Sequence, residues 1–169
     1  MTFYHLSKKI GLVLEDILNK ICHEKYNNQI NNIAVTWINY NNNSKKGYGY
    51  GINNNKKIYP ASLVKLVYGL AIYSWIENKV ILYDQEVNDA TFKMLQESSN
   101  DATSFIVDLL TGTNSGTSLE GEDLVKWQYQ RGIINDWLKD LNWEELHQFN
   151  CCQKTWEDSP YGREKDFYG

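Results

Sequence analysis

The apolar residues of the chain follow two periods, and their order predicts a helix, then a pair of strands, then more helices. In residues 3–25 apolar positions recur every three or four residues, which predicts an amphipathic helix. Residues 33–40 (IAVTWINY) are rich in β-branched and aromatic side chains and predict a strand. Residues 47–52 alternate glycine with tyrosine and follow a turn rich in Asn and Lys at 41–46, so the two segments are predicted to form a β-hairpin.

The rest of the pattern is helical. Residues 62–79 follow Pro60 and are apolar on nearly every side, which predicts a buried central helix. A loop rich in Gly, Ser and Thr is predicted at 111–121, and the tail from residue 142 onward has no clear period. The further predicted helices are 91–97, 101–110 and 122–141, the last with Gly132 as a candidate break.

Composition excludes several classes of function. The 169 residues include 17 basic and 21 acidic side chains with no basic block, which argues against a nucleic-acid or anionic-membrane surface. No run of 18 apolar residues exists, so no membrane-spanning helix is expected. Residues 1–20 lack a continuous apolar core, which predicts no signal peptide and a cytoplasmic location; an incomplete N-terminus would allow a periplasmic one.

The three cysteines do not indicate a disulfide framework or a metal site. Cys22, Cys151 and Cys152 are an odd number, and two of them are adjacent. No Cys-x-x-Cys motif occurs, so a structural zinc site is not expected. The pattern therefore favours a reducing compartment.

One Ser-x-x-Lys quartet, Ser62-Leu63-Val64-Lys65, opens the predicted buried helix. Composition alone predicts about one such match, so its value lies in its position directly after a hairpin, with both residues on one helix face. A serine hydroxyl needs a base to act as a nucleophile, and a lysine buried near a helix N-terminus can be that base when it is neutral. The structural alternative is that Ser62 caps the helix and Lys65 extends to the surface.

A Ser-x-Asn triplet, Ser98-Ser99-Asn100, lies between two predicted helices. About one such match is also expected by chance. A hydroxyl and an amide on a turn could connect Lys65 to a substrate amide. The alternative is an N-cap, with Ser99, Asn100 or Asp101 starting the next helix.

Taken in order, the hairpin, the segment 59–65 (YPASLVK) and the segment 94–103 (MLQESSNDAT) resemble class A serine β-lactamases and their penicillin-binding relatives, a bacterial family of serine hydrolases. The likeness runs from the first helix to about Leu110 and is looser beyond it. It implies an α/β (α+β) fold of the β-lactamase/transpeptidase type, with an antiparallel sheet and helices beside an all-α subdomain.

The resemblance implies a role for each matching residue. Ser62 is the acylated nucleophile, and its backbone N–H supplies half of an oxyanion hole. Lys65 accepts or relays the proton of Ser62, Ser98 passes a proton to the leaving group, and Asn100 binds the amide side chain of the substrate. No cofactor or metal is implied, and the expected partner is a small amide or β-lactam.

The chain departs from the family pattern in three places. Ser99 stands where class A enzymes usually carry aspartate. The third motif, a Lys-Thr-Gly triplet on a later strand, is absent, since Lys154-Thr155-Trp156 lies in a different context. Trp156-Glu157 resembles the Trp-Glu pair of the Ω-type loop, so Glu157 is the candidate base for deacylation; the alternative is a solvated loop carboxylate.

The resemblance divides the chain into two parts. Residues 1–80 would form the N-terminal part of the α/β subdomain, and 81–169 an all-α subdomain with the Ser-x-Asn motif and an Ω-like loop. The C-terminal strands of the sheet are missing on this interpretation, so the chain is expected to be truncated. Activity would then need a longer natural chain or a complementing second polypeptide.

The main hypothesis is therefore a β-lactamase-like serine hydrolase that acts on an amide or β-lactam through an acyl-serine intermediate, inactive if the missing strands are required. One alternative is a fragment or pseudoenzyme that serves as a binding module without catalysis. Another keeps the fold but acts as a serine-dependent glutaminase or peptidase. A cytoplasmic location would favour an internal amide or ester over an antibiotic.

Overall fold

The computed structural model describes residues 4–25, 29–41, 45–143, 146, 148–156 and 160–167. Within these residues the fold is mixed α+β, with seven α-helices and one small three-stranded sheet. The chain divides into two compact units, Met1–Tyr59 and Pro60–Gly169. None of the helices in these ranges is long and apolar enough to cross a membrane.

The first unit holds the whole sheet, one α-helix and a short 3-10 helix (Gln29–Asn32). Its elements are β1 (Tyr4–Leu6), α1 (Lys8–Lys25), β2 (Val35–Asn39) and β3 (Gly47–Ile52). The predicted hairpin is confirmed, because β2 pairs antiparallel with β3, with Trp37 opposite Tyr50. β1 pairs parallel with the other edge of β3, which gives the strand order β1-β3-β2. The sheet is therefore mixed, and the expected antiparallel arrangement holds for the hairpin alone.

The predicted first helix begins too early. Residues 4–6 form β1, and the helix starts only at Lys8. Ser7 sets this boundary, because its N–H continues the strand ladder to the Gly49 carbonyl (2.8 Å) while its Oγ accepts the Ile10 N–H (3.4 Å). Strand pairing with β3 is non-local, so the helical spacing of Leu6 with Ile10 hid it.

The glycines that alternate with tyrosine in β3 are required by close packing. A Cβ at Gly49 would lie 2.7 Å from the Trp37 carbonyl oxygen and 3.0 Å from the Tyr4 ring. Gly11 of α1 meets the Tyr50 ring in the same way, at 2.8 Å. These contacts leave no room for a side chain, so the glycines let helix and strand backbones approach.

The second unit is helical. Its core is apolar and centres on the middle of α2, where Tyr68, Ala71 and Ile72 are fully buried. The helices are α2 (Val64–Glu77), α3 (Gln85–Gln96), α4 (Asn100–Thr111), α5 (Gly121–Arg131), α6 (Ile133–Asp140) and α7 (Gly162–Phe167). The predicted break at Gly132 is confirmed, since α5 ends and α6 begins on either side of it.

The prediction that α2 is buried on all sides is wrong for one face. Leu66, Leu70 and Tyr73 are 61%, 67% and 56% exposed. The helix packs against α3 and α4 with its other face. An all-round apolar pattern shows that a helix can be buried, but it does not show that a neighbour covers each side.

The C-terminal tail and the boundary between the two compact units can also be set beside the predicted pattern. The tail is irregular through residues 148–156, but it contains the short helix α7, which was not predicted. The compact units meet between residues 59 and 60, so α2 belongs with the helices of the second unit. The functional division at residue 80 followed from the family resemblance and stays a prediction.

Candidate active site

Two turns of the second unit bring the predicted site residues together. A 3-10 turn, Ala61–Leu63, leads directly into α2 and carries Ser62. The turn between α3 and α4 carries Ser98. Both turns contain a non-glycine residue in the left-handed region, with φ of 48° at Ala61 and 55° at Ser98. Such backbone costs about 1–3 kcal/mol per residue and is concentrated at functional sites.

Lys65 is the buried centre of this group. It is 4% exposed, and its Nζ donates to the Ser98 carbonyl oxygen (2.6 Å), to Ser98 Oγ (3.0 Å) and to Asn100 Oδ1 (2.9 Å). An ammonium group has three protons, so these acceptors satisfy it completely. The alternative that Lys65 extends to the surface is therefore wrong.

Ser62 is connected to Lys65 through a second hydroxyl. Ser98 Oγ donates to Ser62 Oγ at 3.0 Å and accepts from Lys65 Nζ. The resulting chain of hydrogen bonds runs from the amine through Ser98 to Ser62, which is exposed to solvent. This series of hydrogen bonds thus has the accessible hydroxyl of Ser62 at one end and the buried amine of Lys65 at the other.

Ser99 has a structural role. Its Oγ accepts the Ala102 N–H at 3.2 Å, which makes it the N-cap of α4. Its carbonyl oxygen also accepts the Thr103 hydroxyl at 2.6 Å. The N-cap alternative therefore holds for Ser99 alone, while the flanking Ser98 and Asn100 side chains turn toward Lys65.

Burial lowers the pKa of Lys65 below its ordinary value of 10.5, because it penalises the charged ammonium form. A lowered pKa increases the fraction of neutral amine near neutral pH. When Lys65 is neutral, both hydrogen bonds can reverse direction: Ser62 then donates to Ser98 Oγ, and Ser98 donates to the amine nitrogen of Lys65. The arrangement can therefore remove a proton from Ser62 as the hydroxyl attacks an acyl group.

A segment of the tail, residues 151–156, lies along the helices that carry this site. We call it the anchoring segment. The Cys152 N–H donates to Tyr68 Oη on α2 (2.8 Å), and Trp156 Nε1 donates to Ser104 Oγ on α4 (3.2 Å). Lys154 contacts Asp108, one turn further along α4 (2.9 Å). As the segment advances, its partners thus move back toward the N-terminus of α4, where Asn100 lies.

The sequence analysis made two further predictions about the tail, one on Glu157 and one on the triplet at 154–156. Glu157, the candidate base for deacylation, lies outside the residues that the structure describes, so its role stays a prediction. Lys154-Thr155-Trp156 does not form a strand, and Lys154 is buried (4% exposed) among acidic partners. This agrees with the interpretation that the triplet is not the third motif of the family.

A buried ion-pair cluster was missed by sequence reasoning. Arg131, fully buried, donates to Asp108 Oδ1 (2.7 Å) and to Glu164 Oε1. Lys154 Nζ donates to Asp108 Oδ2 (2.9 Å) and to Ser115 Oγ (3.0 Å), and that hydroxyl donates to Glu164 Oε1 (2.8 Å). The cluster joins α4, α5, α7 and the anchoring segment. Arg131 and Glu164 both lie in polar stretches of the sequence, so no local pattern indicated that they are buried.

No group of three His, Cys, Asp or Glu residues that could hold a metal ion occurs in the described part of the chain. Comparison with protein-family models, with curated proteins and with solved structures gives no match. The case for a function therefore rests on the geometry of Ser62, Lys65, Ser98 and Asn100.

Proposed function

We propose that the chain carries the nucleophile of a β-lactamase-like serine hydrolase, which forms an acyl-enzyme at Ser62. The observation that supports this most is the hydrogen-bonded chain from Lys65 Nζ through Ser98 Oγ to Ser62 Oγ. A buried amine with a lowered pKa, joined to an exposed hydroxyl through a second hydroxyl, is a means of activating a serine without histidine.

In this proposal the proton of Ser62 moves to Ser98 Oγ as the Ser62 oxygen attacks the carbonyl carbon, and Ser98 passes its own proton to Lys65. When the tetrahedral intermediate collapses, Ser98 donates a proton to the leaving nitrogen and recovers one from Lys65. The start of α2 places partial positive charge beside the developing oxyanion. Asn100, held by Lys65 through Oδ1, keeps its Nδ2 available for a substrate carbonyl.

The site fits an amide or β-lactam substrate because proton donation to the leaving group is what an amine leaving group needs. Hydrolysis of the acyl-enzyme would require a base for water, and Glu157 is the proposed one. Trp156, the residue before it, is bonded to Ser104, one turn after Asn100. If Glu157 has this role, Glu157→Gln leaves acylation intact and lengthens the lifetime of the adduct.

The test is intact-mass spectrometry of the purified chain after incubation with benzylpenicillin, and separately with p-nitrophenyl acetate, an activated ester that demands little of the substrate pocket. We expect one covalent adduct on the wild type and none on Ser62→Ala. Ser74→Ala is the matched control, because Ser74 lies at the far end of α2, where it accepts hydrogen bonds from Asn78. Ser98→Ala should slow acylation about 100-fold.

Near-UV circular dichroism of each variant shows whether its tryptophans are packed. No adduct with either reagent on packed wild-type protein would contradict the proposal and favour a binding module without catalysis. An adduct that persists in Ser62→Ala would place the nucleophile elsewhere.

A further inference from the structure

Cys151 and Cys152 are neighbouring thiols in the anchoring segment that no step of the proposed reaction uses. Both are buried, at 2% and 0% exposure, and their Sγ atoms are 3.6 Å apart. Cys152 has φ of 77°, in the left-handed region that few non-glycine residues adopt. This backbone conformation accompanies two thiols that face each other along adjacent residues, where extended backbone would direct them to opposite sides.

The pair is attached to two helices. Cys151 Sγ (3.0 Å) and the Cys151 N–H (2.9 Å) both donate to Asn135 Oδ1 on α6. The Cys152 N–H donates to Tyr68 Oη on α2. Each cysteine therefore fixes the start of the anchoring segment to one helix of the core.

We propose that Cys151 and Cys152 are a redox pair that closes to a vicinal disulfide and thereby loosens the anchoring segment. A low-molecular-weight disulfide such as oxidised glutathione is the oxidant. The thiolate of one cysteine attacks it and releases one glutathione, and the second cysteine then attacks the mixed disulfide and releases another. Two thiols lose two electrons and two protons, and one oxidised glutathione becomes two reduced ones.

Closure changes the attachments because the sulfurs must approach from 3.6 Å to a bond length of about 2.05 Å. The peptide bond between the two residues belongs to the ring that forms, so the Cys152 N–H must turn with it and leave Tyr68. Cys151 loses its S–H and with it the bond to Asn135 Oδ1. Adjacent Cα atoms are also closer than in most disulfides, and strained bridges of this kind are readily reduced again.

The surroundings make the pair slow to oxidise while the segment is in place. The hydrogen bond to Cys152, followed by burial, raises the pKa of Cys151, so the thiol stays protonated at neutral pH. Thiolate is the attacking species, and neither sulfur is open to solvent. Oxidation therefore requires the segment to open, and the bridge then keeps it from closing in the same way.

If the proposed function holds, this pair also regulates it. Tyr68 lies one turn after Lys65 on α2, and Trp156 at the end of the anchoring segment is hydrogen-bonded to Ser104, one turn after Asn100 on α4. A loosened segment would change acylation or deacylation at Ser62. This last step rests on the proposed function, whereas formation of the bridge does not.

In the test, the folded full chain is incubated with oxidised glutathione. It is then unfolded in the presence of N-ethylmaleimide, which labels free thiols, and analysed by mass spectrometry. The reduced chain takes up three maleimides, one for each cysteine, and the oxidised chain should take up one. The tryptic peptide 140–154 should lack the mass of two hydrogen atoms and carry no maleimide. Cys22→Ser should form the same bridge, and Cys152→Ser should not.

Loosening is measured by the rate at which trypsin cuts the native chain after Lys154, which is 4% exposed. We expect cleavage at least about fivefold faster in the oxidised chain, the change that loss of the hydrogen bond from the Cys152 N–H to Tyr68 alone implies for a local opening equilibrium. The proposal is overturned if the folded chain gives only glutathione adducts or bridges between chains, if the bridge forms only after unfolding in urea, or if bridged and reduced chains are cut equally fast. None of these readouts depends on acylation.

Discussion

Replacing Lys65 by methionine should make the stability of the protein depend differently on pH. Methionine keeps the length of the side chain and removes the amine. In the wild type, burial lowers the pKa of Lys65 in the folded state below its value of 10.5 in the unfolded chain. Between these two pKa values the unfolded chain binds more protons than the folded one, so the free energy of unfolding rises with pH in that window.

The magnitude follows from one titrating group. Within the window the wild type should gain at most about 1.4 kcal/mol of stability per pH unit relative to Lys65→Met, and the gain should stop above pH 10.5. Below the lowered pKa the difference should be constant and small. The variant loses three hydrogen bonds, but the two residues that accept them are solvent-exposed, and it no longer buries a charge.

The assay is urea unfolding of the wild type and Lys65→Met between pH 6 and 10.5, followed by tryptophan fluorescence. Lys93→Met is the matched control, because Lys93 lies on the exposed side of α3 and the substitution removes an exposed amine instead of a buried one. The reasoning is refuted if the difference between the wild type and Lys65→Met stays constant over the whole range, or if it falls as the pH rises. Acylation of the wild type by p-nitrophenyl acetate should increase over the same window, because only the neutral amine accepts a proton.

Substitutions at three other places test separate parts of the structure. Ser99→Ala should lower the free energy of unfolding by about 1 kcal/mol through loss of the α4 cap and leave Ser62 acylation nearly unchanged, as urea unfolding and intact mass would show. Arg131→Met should cost about 3–5 kcal/mol, because it leaves Glu164 buried without its main partner, and adding Glu164→Gln should recover part of the loss. Gly49→Ala should cost about 2 kcal/mol, measured by thermal unfolding, because its Cβ would press on a β2 carbonyl.

Local chemistry was enough to predict part of the fold. The hairpin, the break at Gly132 and the capping serine of α4 all depend on residues close in sequence, and each is found near its predicted position. β1 and the exposed face of α2 were not predicted. Both depend on which distant segment supplies a partner, and hydrophobic periodicity contains no information on that point.

In the candidate site, too, only the part with a local signal could be predicted from the sequence. Ser62 and Lys65 are joined by helical spacing, so their proximity could be predicted, and the Ser-x-Asn triplet together with the family resemblance added Ser98 and Asn100. The hydrogen bond from Ser98 to Ser62 spans 36 positions and had no local signal of its own. The ion-pair cluster spans 23 to 49 positions between its bonded partners, and its residues belong to no motif.

Ser99, in the middle of the Ser-x-Asn triplet, is one position where the chain departs from the family pattern, and the structure shows what its side chain does. In class A β-lactamases, the family that the sequence resembles, aspartate usually stands at the position that would match Ser99, and the difference would matter if that side chain took part in proton transfer. Here the side chain accepts the Ala102 N–H and caps α4. Aspartate and serine are about equally good N-caps, so either residue fixes the turn and leaves the flanking residues free to face Lys65. The difference therefore affects only the residue that caps α4. The residues proposed to move a proton, Ser98 and Lys65, are unchanged. If so, Ser99→Asp should preserve both stability and Ser62 acylation, and a large loss of acylation in that variant would show that the position has a role beyond capping.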